Sequence, residues 1–579
     1  MLKRCVLVSL ICARALVSAG DAQAFGGRCE WRQWGQSFAH DGQVCARGQE
    51  PLRELEHVTI DPFVAQEQAE SSGSLVVHYQ VPLLDRRGYV FVLQKAGIYV
   101  SCDPPGSGQP APCGWNAMGT QVWTETAFRW RQGRLVQQWS FASDWKPVPG
   151  RFVSGWEPMF QPALSAKLVY VPGAGGTIYK LDKRKGRVEA RINPFGTTID
   201  PDTYVAGGLT IDASGNVYYN VLRLDPVIPV LGDAEGWLVK VSRRDEVSMV
   251  AYRNLIPGAP AADDLCFLTF ASLGVQPARP WPPPPNPDGS QALPPLARCS
   301  SQRPAVNVTP AIGPDGTIFT VSRAHRLGSY AYVVALTPDL QLRWATSLRD
   351  LVEDGCGVLV PYGSSSSDCR PGSRLGVDPA TNLPPAGNVL DLASSSPTAL
   401  PDGGVLYGVN NGYNGSRGHL VKLDASGGFV GAYDFGWDST PALYAHDGTY
   451  SVVIKDNHYA TNGPFFITQL DAGLKVEWQF ANTNSQTCER LPDGTVSCVD
   501  DGEHPDGFEW CINAPAVDRD GTVYANSEDG NFYVVDQGGM QKAHVFLNRT
   551  QGAAYTPLAI DSEGRIYAMN NGELSVLGR

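Results

Sequence analysis

One recurring phrase constrains this chain more than any other feature of its sequence. FQPALSAKLVYVPGAGGTIYKLD begins at Phe160, VTPAIGPDGTIFTVS at Val308, SSPTALPDGGVLYGVN at Ser395, STPALYAHDGTYSVVI at Ser439, NAPAVDRDGTVYANSEDGNFYVV at Asn513 and YTPLAIDSEGRIYAMNNGELSVLGR at Tyr555; looser copies begin at Val81 and Gly207. Each copy reads as a short strand, a tight Asp-Gly type turn, a strand rich in β-branched and aromatic residues, and then a second hairpin. Four short antiparallel strands make one propeller blade. The eight copies predict an all-β, eight-bladed β-propeller, with seven blades as the alternative.

The prolines of the phrase stand at 162, 310, 397, 441, 515 and 557, so uninterrupted copies are 44 residues (397 to 441) or 42 residues (515 to 557) apart. Longer gaps hold a blade plus an insertion. Insertions around 257–306, 350–393 and 482–510 fall between the last strand of one blade and the first of the next, and the segment holding Cys102 and Cys113 falls between the second and third strands of the first blade. In an up-and-down blade these two kinds of connection emerge on the same face, so the insertions are expected to decorate one face and the Asp-Gly turns the other. Function on such scaffolds tends to reside in the loops.

The first residues, with Lys3 and Arg4, an apolar run and Ala22-Gln23-Ala24, read as a signal peptide over 1–24. Residues 25–74 read as an N-terminal segment containing a strand, within 55–80, that completes the last blade; 75–579 read as the propeller. Loss of 1–24 removes three cations and one anion and takes the formal charge from −12 to −14, which disfavours nucleic acid as a partner. No later run is long and apolar enough to span a membrane. Export to the periplasm or the medium makes disulfides the natural use of the cysteines, and spacing offers Cys29/Cys45, Cys102/Cys113, Cys266/Cys299, Cys356/Cys369 and Cys488/Cys498, leaving Cys511 over.

The repeats resemble those of the pyrroloquinoline quinone (PQQ) repeat superfamily, with a Pro-Ala-like start, a Gly-aromatic second strand, a Leu-Asp third-strand end and a Trp in strand four. The matching residues in one blade are Pro162, Gly176, Tyr179, Leu181 and Asp182, and Trp139, Trp344 and Trp478 take the fourth-strand place. The resemblance implies that these tryptophans pack between blades. It also implies, for the enzymes of the superfamily, a quinone on the propeller axis with calcium, a catalytic Asp and often a disulfide of adjacent cysteines. This chain has no Cys-Cys pair and no C-x-x-C-H haem site, so no catalytic residue carries over.

The expected function is that of a non-catalytic exported module without cofactor, recognising a protein or a glycan through the loop-bearing face. The most polar and aromatic groups there are His325, Arg326, Asn410, Tyr413, Asp456, Asn457 and His458, the candidate ligand contacts. Asn220, Asn526 and Asn570 hold places like that of Asn410, and turn propensity explains them equally well. The alternative is a propeller enzyme: a dehydrogenase using PQQ and calcium, or a calcium-dependent hydrolase of the lactonase type.

Overall fold

The computed structural model describes residues 29–579 except 51, 101–118, 150–155, 230–231, 273–281, 353–354, 359–368, 412–417, 435, 458–462, 492 and 550–555. The signal peptide, the Cys102/Cys113 pair, Tyr413 and His458 lie outside the described residues.

Eight four-stranded antiparallel blades form the ring. From inner to outer strand, blade 1 runs from Leu83–Leu84 to Arg134–Ala142, blade 2 from Ala163–Leu164 to Val188–Ile192, blade 3 from Thr203–Ile211 to Val247–Ala251 and blade 4 from Ala311–Ile312 to Leu342–Ser347. Blade 5 runs from Thr398–Ala399 to Phe429–Asp434, blade 6 from Ala442–His446 to Val476–Asn482 and blade 7 from Ala516–Val517 to Met540–Phe546. Blade 8 is assembled from both ends of the chain: Leu558–Ile560, Ile566–Asn570 and Glu573–Gly578, completed outside by Arg53–Thr59. That strand pairs antiparallel with the last one, His57 opposite Ser575, and covers an edge that would otherwise stay open.

The apolar core lies between neighbouring sheets. Phe319 and Val333 of blade 4 pack with Val405 and Tyr407 of blade 5, and Leu406 of blade 5 with Val452 of blade 6. Second strands such as Ile318–Ala324 and Val405–Asn410 are therefore buried along their whole length, whereas the outer strand Phe429–Asp434 is half exposed. The fourth-strand tryptophans dock on the next blade: Trp139 donates to the Lys183 carbonyl (3.1 Å) and Trp344 to that of Ala425 (2.9 Å). The turn glycines beneath them leave room for the rings, since a Cβ on Gly186 would lie 2.5 Å from Trp139. Tyr179 lies on the third strand of blade 2, not the second, because Leu168–Pro172 fills that place.

A feature absent from the sequence reading occupies the axis. Between Trp31 and Gln49 the chain makes one circuit of the ring and meets the inner strands in blade order. Leu84, Leu164, Ile312, Ala399, Leu443 and Val517 donate their amides to the carbonyls of Trp31, Arg32, Phe38, Ala39, Asp41 and Gly42 at 2.7–2.9 Å. In blade 3 the Ile211 amide donates to the Gln33 side chain (2.7 Å), and in blade 8 the Gln49 amide donates to the Gly564 carbonyl (2.9 Å). Inner strands are sheet edges with unpaired amides and carbonyls, and this collar satisfies them. Leu84, Leu164, Ile211, Ile312, Ala399 and Val517 are the last residues of their strands before the turn, so the collar closes the axis from the turn face. Cys29–Cys45 ties its ends, and Trp31, Trp34 and Val44 are wholly buried within it. Gly42, at φ +62°, passes so close that a Cβ would lie 2.7 Å from that of Ala442.

A buried ion cluster locks the closing strand to the ring. The Lys95 ammonium, on the second strand of blade 1, contacts Asp61 (2.8 Å) just after Arg53–Thr59, Glu67 (2.9 Å) on the short helix Val64–Glu70, and Glu157 (2.7 Å) on the approach to blade 2. Tyr79 donates to Asp61 and the Trp123 indole to Glu157.

Buried groups of opposite kinds set a pH optimum. Burial pushes the Glu125 carboxyl from 4.5 up to about 8 and raises Glu67 as well, while burial pulls the imidazoles of His40 and His78 from 6.5 down to about 4 and that of His325 to about 3. A raised carboxyl gives stability that is whole below 4.5 and lost as pH rises toward 8; a lowered imidazole gives stability that is whole above 6.5 and lost as pH falls toward 4. The slopes oppose one another between 4.5 and 6.5, and outside that window each acts alone. Melting temperature is expected to be highest inside the window and to fall on both sides; a steady rise to pH 8 in calorimetry would contradict this.

Candidate functional site

Above the collar, the stretches leading into the inner strands fill the rest of the axis. His78, before blade 1, donates from Nδ1 to the Glu157 carbonyl (2.9 Å), and the Leu392 main chain before blade 5 lies close enough to act on the same ring. Blades 1 and 5 are opposite one another in an eight-membered ring, so this contact crosses the axis. Asn307 joins the approaches to blades 2, 4 and 5, accepting from the Met159 amide and donating to the Asp391 carbonyl, both at 3.1 Å. The Glu157 carboxylate is taken by Lys95 and Trp123. Among the described residues no group of three or more His, Cys, Asp and Glu side chains is placed to hold a metal.

The loop-bearing face is different. Insertion 252–310 carries a hairpin, Leu265–Phe267 with Leu296–Arg298, braced by Cys266–Cys299; insertion 348–397 carries Cys356–Cys369; insertion 483–515 carries the hairpin Gln486–Arg490 with Val496–Asp500, in which Cys488 bonds Cys498 directly opposite. Cys511 is a buried free thiol. The first two insertions hold one another: the Phe270 amide donates to the Ala380 carbonyl (2.9 Å), and Asn382 donates to the Ala292 carbonyl (2.9 Å). Replacing Cys266 and Cys299 together by Ser is expected to leave the β-sheet circular dichroism intact and to cost the ring less than the roughly 3 kcal/mol of the loop-closure model, because the loop frays by itself. Limited proteolysis should then cut between the two positions; global unfolding would show that the insertion belongs to the blade core.

Between these two insertions and the loop joining the second and third strands of blade 4 lies a cleft of about 450 Å³. Its floor is a buried ion cluster. Arg303 makes a bidentate pair with Asp391 (2.6 Å to each oxygen), Arg323 adds a third contact (3.0 Å), and the two guanidiniums hold the Asp391 carboxyl below its ordinary range. Arg323, Arg326 and Arg349 reach the cleft wall. A second cleft, of about 460 Å³, lies under the third insertion, lined by Asn482, Asn484, Tyr533, His544 and the Cys488–Cys498 bridge, with no Lys, Arg, Asp or Glu in its wall.

The candidate ligand contacts fare unequally. Arg326 is exposed and lines the first cleft. His325 is buried, its Nδ1 accepting from Arg303 (3.1 Å). Asp456 is buried and accepts from Tyr433 (2.8 Å) and Thr468 (3.0 Å), while Asn457 exchanges two hydrogen bonds with the main chain of Trp510 and so anchors the third insertion. Asn410 is buried and its main chain pairs with Asn388. These four side chains are buried rather than displayed on the surface. Asn220, Asn526 and Asn570 are likewise buried, donating to the carbonyls of Val308, Thr556 and Asn548 to fasten approaches to neighbouring strands, which is a different role from turn formation.

No protein-family model and no curated protein sequence matches the chain. Among solved structures, a quinohemoprotein alcohol dehydrogenase from Comamonas testosteroni is 11% identical, with a TM-score of 0.51 over 97% of this chain and 83% of its own. The chain shares that enzyme's fold. Europium-containing methanol dehydrogenase (11% identity, TM-score 0.47, 93% of this chain and 89% of its own) and BamB from Moraxella catarrhalis (11% identity, TM-score 0.36, 91% and 100%) are more distant in shape. At such identity the likeness extends to the fold alone. No helix among the described residues is long and apolar enough to cross a membrane.

Proposed function

We propose that this chain is an exported, non-enzymatic binding propeller that recognises a partner through its loop-bearing face. The observation that carries the reading is the cleft where two disulfide-braced insertions and a blade 4 loop converge, beside an axis that the chain fills with its own residues. Bridges across loops restrict the conformations lost on binding, so a braced rim holds its shape for a partner at lower entropic cost than free loops would. The test is site-specific photocrosslinking from Thr381, on the cleft wall, and from Ser426, in an exposed turn of the opposite face. A partner in cell-envelope or culture fractions is expected to crosslink from position 381 and not from 426. Crosslinking from 426 alone, or from neither position in correctly folded protein, would overturn the reading.

A further inference from the structure

The wall of the first cleft narrows the chemistry of what it receives. Among the described residues, four guanidiniums, Arg303, Arg323, Arg326 and Arg349, stand in or under it with the carboxylates of Asp391 and Asp378, in a chain whose formal charge is −12. Arg303 and Arg323 are spent on Asp391 and on main-chain carbonyls. Arg326 makes no hydrogen bond or ion pair with the described residues and is exposed. The Arg349 guanidinium lies 4.4 Å over the Tyr330 ring and donates to the Ser329 carbonyl (3.1 Å), its one side-chain hydrogen bond among the described residues, out of five N–H groups. Asp378 accepts from the Ala380 amide (2.8 Å). Around these cations the lining is aliphatic: Leu268, Leu327, Leu383 and Leu390 are half exposed, and Phe267 contributes an aromatic ring.

We propose that this cleft docks an acidic segment of a partner protein, an Asp or Glu carboxylate on Arg326 and Arg349 with an apolar neighbour seated on Leu268, Leu327 and Leu383. The inference rests on the loop-bearing face being the binding face. Guanidiniums donate to a carboxylate through paired N–H groups, and aliphatic side chains of the partner find aliphatic partners here. A sugar would call for aromatic platforms and amide or hydroxyl pairs in larger number than leucines, and the cleft under the third insertion suits that chemistry better. The volume, about 450 Å³, falls within the roughly 300–1,000 Å³ of ligand pockets.

Displayed random heptapeptides selected on the mature protein provide the probe. Enriched peptides are then synthesised with a fluorophore and titrated against wild type, Arg326→Glu and Ser426→Glu. Arg326 is exposed and makes no hydrogen bond or ion pair with the described residues, so its replacement tests binding with little disturbance of the fold. Enriched peptides are expected to carry Asp or Glu beside Leu, Ile, Val or Phe, and to lose at least about tenfold in affinity on Arg326→Glu or on changing their acid to its amide, with no change on Ser426→Glu. Raising salt from about 50 to about 500 mM should weaken them further. Enrichment of peptides without acids, affinity unchanged by Arg326→Glu, or binding of tri-galacturonate without any acidic peptide would overturn the assignment. If a partner still crosslinks at Thr381 while Arg326→Glu binds it as wild type does, the cleft assignment fails and the binding face stands.

Discussion

A chain that starts at residue 51, with the collar removed, is expected not to hold its fold at all. The collar buries Trp31, Trp34 and Val44 completely and supplies acceptors for inner-strand amides in most of the blades. Burial of large apolar side chains is worth roughly 1.5–3 kcal/mol apiece, so these three alone account for about 4.5–9 kcal/mol. Each buried amide left without an acceptor costs about 1–3 kcal/mol more. Domains of ordinary stability have only about 5–15 kcal/mol in all. The truncated protein should be recovered aggregated, or melt far below the full-length mature chain in calorimetry. A truncated ring that melts within a few degrees of the full-length protein would show that the inner strands do not need the collar.

Lys95→Met is expected to produce the largest single-residue effect. The substitution leaves Asp61, Glu67 and Glu157 in a buried site without their cation, a change that costs about 3–5 kcal/mol for broken buried pairs. Uncompensated carboxyls are held protonated more strongly by the folded state than by the unfolded one, so the deficit should be greatest at neutral pH and shrink as pH falls toward 5. Denaturant unfolding of wild type and variant at both pH values reads this directly. Equal deficits at the two values, or a loss below about 1 kcal/mol, the level of an exposed pair, would place Lys95 outside any buried network.

The blades were legible in the sequence because each copy carries its own strand, turn and strand, and a period of 42 or 44 residues leaves no other economical reading. The insertions were legible as departures from that period, with their cysteine pairs as brackets. The collar was not, because its bonds to the blades are largely main-chain ones and main-chain bonding leaves no residue signature. The available signal was the pair of tryptophans, Trp31 and Trp34, between Cys29 and Cys45, too apolar a content for a linker. The ion clusters escaped for another reason. Arg303 and Asp391 are 88 positions apart, and Lys95 sits in a strand whose charge alone gives no hint of burial. Polar loop residues read as surface groups, and Arg326 is one; Asn457 is covered by the third insertion, to which it bonds at Trp510, and Asp456 is buried against Tyr433 and Thr468.

One measurement tests most directly whether the chain is the binding propeller proposed or a quinone-dependent enzyme. The mature protein is incubated with PQQ and calcium, passed through gel filtration, and examined for a retained chromophore and for reduction of an artificial dye with alcohols. The expected result is a protein peak without quinone absorbance and no dye reduction above the heat-denatured control. One equivalent of quinone retained per chain, with alcohol-dependent dye reduction, would mean that the axis opens to a cofactor, and the account of this chain as a binding module would be wrong.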